Sequence, residues 1–183
     1  MTDADFVDVP TYDLQKLAVL FRDLLNPRNI AEITRKLFYS TKFLVEYDLD
    51  APEYSGIHTG VDLKLPIGTP IGAIAGGRVV SVSQDNELGL HVVIEHHIDD
   101  KVFYSIYGHF GFAKVKAGDD VTAGQFIGTV GMTGATTGPH LHLQVDPGIP
   151  GETSHTPYVA AQGTPRGTAE QFTINPITFI QRY

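Results

Sequence analysis

The sequence predicts a mainly β protein with minor helix: an antiparallel sandwich or partly open barrel carrying a two-helix extension at its N-terminus. Three features lead there. Up to about residue 42, apolar residues recur at helical spacing. Beyond residue 43, β-branched and polar residues alternate instead. Glycines then separate the alternating runs at short intervals, as turns do in antiparallel sheets.

In chain order, residues 11–42 read as two helices. Leu14, Leu17, Ala18, Phe21, Leu24 and Leu25 make one apolar stripe, and Asn26-Pro27 stops it, because proline disfavours helical geometry in the preceding residue. Asn29, with Glu32 three residues on, forms a capping box that starts the second helix, and Ile30, Ile33 and Leu37 are its buried face. Helices with such stripes pack against a core, so docking on the main domain is the expected role and a lid over the site the alternative. The expected division is an extension over residues 1–47 and one domain over residues 48–183. Strands are expected at Arg78–Ser83, His91–His97, Val102–Phe110, Gln125–Val130 and His140–Val145. Residues 147–173 read as a long loop with little regular structure. A short helix is expected to begin near Pro176, since proline suits a first helical turn.

Composition excludes several classes. The 183 residues carry 13 basic and 21 acidic side chains, a net charge of −8. Nucleic-acid binding needs clustered Lys and Arg, so no nucleic-acid partner is expected. There is no cysteine, which removes disulfide and thiolate chemistry and leaves histidine and carboxylate as metal ligands. No apolar run approaches the length of a membrane span. The acidic start, Met1-Thr-Asp-Ala-Asp-Phe6, is unlike a signal peptide, so the protein is expected either in the cytoplasm or outside it with an export signal trimmed away. A monomer is expected.

The chemistry concentrates in two short runs. Gly56-Ile-His-Thr-Gly-Val-Asp62 holds His58 and Asp62, and Gly138-Pro-His-Leu-His-Leu-Gln144 holds His140 and His142; His109 stands between them. In a strand, residues two apart share a face, so His140 and His142 are expected to point into one space while Leu141 and Leu143 point into the core. Gly56 and Gly60 argue against a helix around His58, so that segment reads as a turn leading into a strand. Asp62 lies between Val61 and Leu63, where a carboxylate needs a metal or a hydrogen-bonded network. A catalytic zinc takes three protein ligands and keeps a fourth position open. These imidazoles and one carboxylate supply that number, with two histidines left over for protons.

Taken together with their surroundings, these runs resemble the lysostaphin-like (LytM-type) zinc endopeptidases, which cleave peptides in bacterial peptidoglycan. The likeness covers Tyr54 to Val145. It runs through His58-Thr-Gly-Val-Asp62, Pro66-Ile-Gly-Thr-Pro70, Gly76-Gly-Arg-Val-Val80, Val92-Val-Ile-Glu-His96, Tyr107-Gly-His109, the stretch Lys116 to Gly128, and Gly131 to His142. The resemblance implies a lysostaphin-like β fold around a narrow groove, one Zn2+ per chain held by His58, Asp62 and His142, a catalytic pair of His109 and His140, and a peptidoglycan peptide as substrate. It implies packing or support for His96 and no role for His91 and His97, expected at surface or strand positions. His155, in the long loop, is expected to be exposed. Three rivals fit less well. A non-catalytic wall-binding or amidase-activating relative would have lost ligands that are present here. A biotinyl- or lipoyl-type carrier would need a lysine at an exposed turn, which Gly131-Met-Thr-Gly-Ala135 lacks. A cupin-like protein would need a further Glu and His at suitable spacing.

Overall fold

The structure, a computed structural model, describes residues 39–41, 43–44, 46–47, 56–149, 154–160 and 163–183. Eleven strands and two helices are present among them: β1 (Tyr39–Thr41), β2 (Glu46–Tyr47), β3 (Gly56–Ile57), β4 (Val61–Leu63), β5 (Pro70–Gly72), β6 (Gly77–Gln84), β7 (Leu90–Ile98), β8 (Lys101–Ala113), β9 (Asp120–Val121), β10 (Phe126–Val130), β11 (Leu141–Pro147), α1 (Arg166–Phe172) and α2 (Pro176–Arg182). Nine strands form one sheet, in the order β1-β4-β11-β8-β7-β6-β9, with β10 pairing both β5 and β8; β2 and β3 pair separately. Every pairing is antiparallel. The mainly antiparallel β architecture predicted from sequence is therefore present.

Three expectations change. The range read as helical, 11–42, ends in a strand: Tyr39–Thr41 is β1 and pairs with β4. The rest of that range, with its packing or lid role, lies outside the described residues. The long loop contains α1, where Thr168 and Ala169 donate their N–H groups to the Pro165 carbonyl and Ala169 is fully buried. Its apolar residues are Ala169 and the exposed Phe172 alone, too few for a periodic pattern to register. Strand β11 begins at Leu141, one residue after His140. The terminal helix starts at Pro176 as expected, capped by Asn175, whose Oδ1 accepts from the N–H groups of Ile177 and Thr178.

The core explains why the strands sit as they do. On β11, Leu141, Leu143 and Val145 are fully buried on one face, each such side chain contributing on the order of 2 kcal/mol. They join Val61 and Leu63 of β4, Tyr107 and Phe110 of β8, and Ile177 and Phe179 of α2. The opposite face of β11 carries His142, Gln144 and Asp146, all buried as well. The His-Leu-His-Leu-Gln-Val-Asp run thus has an apolar core on one side and, on the other, a polar row that is buried from His142 onward.

Candidate metal centre

Pairing of β4 with β11 places Asp62 directly opposite His142, within reach of a cross-strand contact. On its other side His142 faces Gly108 of β8, whose missing side chain leaves room for the imidazole; a Cβ there would lie 3.2 Å from that of His142. His58 arrives from the turn between β3 and β4, tied down where Leu44 N–H donates to the His58 carbonyl. Gly60 completes this turn by backing directly onto His142.

The result is a tight triangle. His58 Nε2 and Asp62 Oδ1 are 3.0 Å apart, His142 Nδ1 and Asp62 Oδ1 3.0 Å, and His58 Nε2 and His142 Nδ1 3.1 Å. These three residues are the group of potential metal ligands among the described residues. Ligand atoms about 2.0–2.1 Å from a tetrahedral zinc lie roughly 3.3–3.4 Å from one another, so the donors fit a bound ion after opening by a few tenths of an ångström. Burial alone would push the Asp62 carboxyl up, but hydrogen bonds from His142 and His58 and their charges hold it well below the usual carboxylate range. Burial likewise pulls the His142 imidazole down, while Asp62 more than offsets this and the net direction is up. A carboxylate this stabilised as an anion between two imidazoles is chemically suited to a cation.

Two further imidazoles face the triangle. On β8, two residues, Gly108 and His109, oppose the single residue His91 of β7, because the register passes from Tyr107↔Val92 to Phe110↔Leu90. That is a β-bulge, a device that re-aims side chains. It lets Tyr107 and Phe110 both reach the core although they are three apart. At its centre His109 has φ +59°, a left-handed conformation costing on the order of 1 kcal/mol for a non-glycine residue. His109 Nδ1–H donates to the Thr133 carbonyl at 2.8 Å, leaving Nε2 as an acceptor. Burial and the neighbouring His140 push its pKa down to about 4, so it is neutral at pH 7. His140 sits just before β11, its Nδ1 2.9 Å from the Gly138 carbonyl and 3.1 Å from Thr136 Oγ1, and its Nε2 3.6 Å from Asp62 Oδ1. The His109 and His140 rings are 4.5 Å apart. All five residues singled out in the sequence therefore meet in one place.

The other histidines lie elsewhere. His96 is fully buried between the Gly76 carbonyl and Ser105. His91 and His97 are on β7, the first buried beside the Gly89 carbonyl and the second exposed beside Glu95. His155 departs from expectation: it is not exposed but stacks on Tyr104 and reaches Asp146 Oδ2 at 2.8 Å. Sequence reading also passed over Thr133, Thr136, Gln144 and Asp146. The last two carried a signal, since the alternation that pairs His140 with His142 continues through Gln144 to Asp146.

Comparison with known proteins agrees with this geometry. Residues 56–154 match the model of peptidase family M23. Lysostaphin of Staphylococcus staphylolyticus is 45% identical over 91 residues, which cover 49% of this chain and 18% of that protein. Peptidoglycan DD-endopeptidase ShyB of Vibrio cholerae is 40% identical over 88 residues, covering 48% of this chain and 20% of that protein. The matched stretch thus spans about a fifth of these curated relatives. Among solved structures, the catalytic domain of the antimicrobial peptidase lysostaphin from Staphylococcus simulans superposes with a TM-score of 0.61 at 28% identity, covering 82% of this chain and 96% of that one.

Proposed function

The chain belongs to peptidase family M23, and from that premise we propose that it is a zinc-dependent endopeptidase hydrolysing peptide bonds in the cross-bridges or stems of bacterial peptidoglycan. One observation carries the reading: His58 Nε2, Asp62 Oδ1 and His142 Nδ1 stand 3.0–3.1 Å from one another, with two more imidazoles turned toward them. Two nitrogens and one carboxylate oxygen suit zinc and leave a coordination position open. The reading divides the chain into an N-terminal extension, residues 1–47, which joins the nine-stranded sheet through β1 and pairs with β3 through β2, and an endopeptidase domain, residues 48–183. A non-catalytic binding or activator module is the weaker reading, because neither the ligand set nor the histidine pair is depleted.

When bound, zinc supplies Lewis acidity, acidifying water toward a pKa of about 7 and polarising a carbonyl. His58, Asp62 and His142 hold it. His109 keeps its Nδ1 proton on the Thr133 carbonyl, so its Nε2 is the atom that accepts a proton or a hydrogen bond. His140 is oriented in the same way by the Gly138 carbonyl. The neighbouring His140, 4.5 Å away, and burial disfavour charge on His109, so a proton that His109 accepts as base is readily passed on to the leaving amine. The reading is tested by digesting purified peptidoglycans of glycine-bridged and directly cross-linked types and weighing the fragments. Chelator-sensitive, zinc-restored release of cross-link fragments is expected. Absence of hydrolysis on every substrate by zinc-loaded protein contradicts it.

A further inference from the structure

Behind His142 the polar row of β11 continues into the interior. Gln144 and Asp146 are each 1% exposed. The Gln144 amide nitrogen is 2.8 Å from Asp146 Oδ1 and 2.9 Å from the Tyr158 carbonyl oxygen, and these two acceptors use both amide protons. The amide oxygen must therefore point the other way. There it accepts from Thr59 Oγ1 at 2.7 Å and lies 3.2 Å from His142 Nε2. An amide oxygen can only accept, so Nε2 of His142 carries a proton, and Nδ1, which donates to Asp62 while no metal is bound, is the nitrogen that faces the ligand triangle. Asp146 is fixed in turn at its second oxygen by the Tyr158 N–H at 3.0 Å and His155 Nε2 at 2.8 Å.

We propose that Asp146 is a positioning residue for the metal centre: together with the Tyr158 carbonyl it fixes which way round the Gln144 amide lies, so that the amide oxygen holds the Nε2–H of His142 and Nδ1 is turned toward the metal. The inference rests on the zinc-hydrolase reading above. It also ties the stretch around Tyr158 to the site, since Tyr158 contacts Gln144 through its carbonyl and Asp146 through its N–H.

The substitution Asp146→Asn separates this role from simple packing. The Tyr158 N–H can only donate, so it claims the new amide oxygen and turns the new NH2 group toward Gln144. Gln144 is then left with its own NH2 facing that group or, reversed, with its oxygen facing the Tyr158 carbonyl, so neither orientation is satisfied and its oxygen is no longer held on the Nε2–H of His142. Asparagine is nearly the size of aspartate, so lost packing alone would not disturb this nitrogen.

The experiment measures zinc affinity by chelator competition, and the 15N signals of the two His142 ring nitrogens in the metal-free protein, for the wild type and Asp146→Asn. Zinc binding weaker by about 10- to 100-fold, together with a shifted Nε2 signal that reports loss of the Gln144 contact, is expected for Asp146→Asn. Gln144→Leu, which removes the acceptor without touching Asp146, covers the case in which Asp146→Asn does not fold, and a comparable loss of affinity is expected. Wild-type affinity in either folded variant, or weakened binding with the Nε2 signal unchanged in Asp146→Asn, overturns the proposal. A wild type that binds no zinc overturns the underlying hydrolase reading instead, before any variant is compared.

Discussion

Gly60 is the position where one added methyl group tests the architecture of the site most sharply. A Cβ there would lie 2.5 Å from the Leu143 carbonyl oxygen and 2.9 Å from both Cε1 and Nε2 of His142. Non-bonded heavy atoms settle at about 3.5–4.0 Å, so the turn and β11 would have to part by roughly 1 Å. Strand β11 is paired on both sides, to β4 and β8, and cannot yield freely. Overpacking of this kind costs about 1–3 kcal/mol. At about 2–4 °C per kcal/mol for a chain this long, Gly60→Ala should lower Tm by roughly 2–12 °C. The same push moves His142 against Asp62 and His58, so zinc affinity should fall as well. Gly138→Ala is the control: nothing lies within 4 Å of its Cβ position, and a change within about 0.5 kcal/mol is expected although it too lies beside a site histidine. Thermal unfolding of the metal-free proteins and chelator-competition titration measure both effects. A Gly60→Ala protein matching the wild type in Tm and zinc affinity, or a Gly138→Ala protein equally impaired, refutes the reasoning.

Other expectations follow from the same geometry. His142→Ala and Asp62→Ala should lose zinc and activity together, whereas His109→Ala and His140→Ala should keep zinc and lose about 10²- to 10⁴-fold in turnover; equal zinc loss in all four variants, by metal analysis, contradicts this division. Because Asp62 raises the His142 pKa, the metal-free imidazole holds its proton to higher pH than a free histidine, and zinc affinity should weaken as pH falls through that raised value. His109, depressed to about 4, stays neutral over that range, so activity lost on mild acidification should track zinc release; loss of activity with zinc fully retained contradicts the assignment. Asn175→Ala, which removes the cap of α2, should cost about 1 kcal/mol in denaturant unfolding and leave zinc affinity unchanged.

The parts of this chain that were legible in its sequence are those encoded by local pattern. Alternation marked β6, β7, β8, β10 and most of β11, and proline after asparagine marked α2. Very short strands such as β3 and β9, two residues each, carry no periodicity to read. Helix α1 escaped because it buries only one small residue. The five candidate residues were visible because imidazoles and a carboxylate among apolar neighbours are costly to bury without a purpose. What holds them in place was not visible. The bulge that turns His109 toward the site follows from a register offset between β7 and β8, a property of two strands together. The buried contact of His155 with Asp146 depends on the path of a loop whose sequence contains no regular element at that point.

The most direct test of the metal centre is anomalous diffraction at the zinc edge from crystals of the zinc-loaded protein. A single peak about 2.0–2.2 Å from His58 Nε2, an Asp62 carboxylate oxygen and His142 Nδ1 is the predicted result. A peak that misses any of the three, or that contacts His142 through Nε2, contradicts the account.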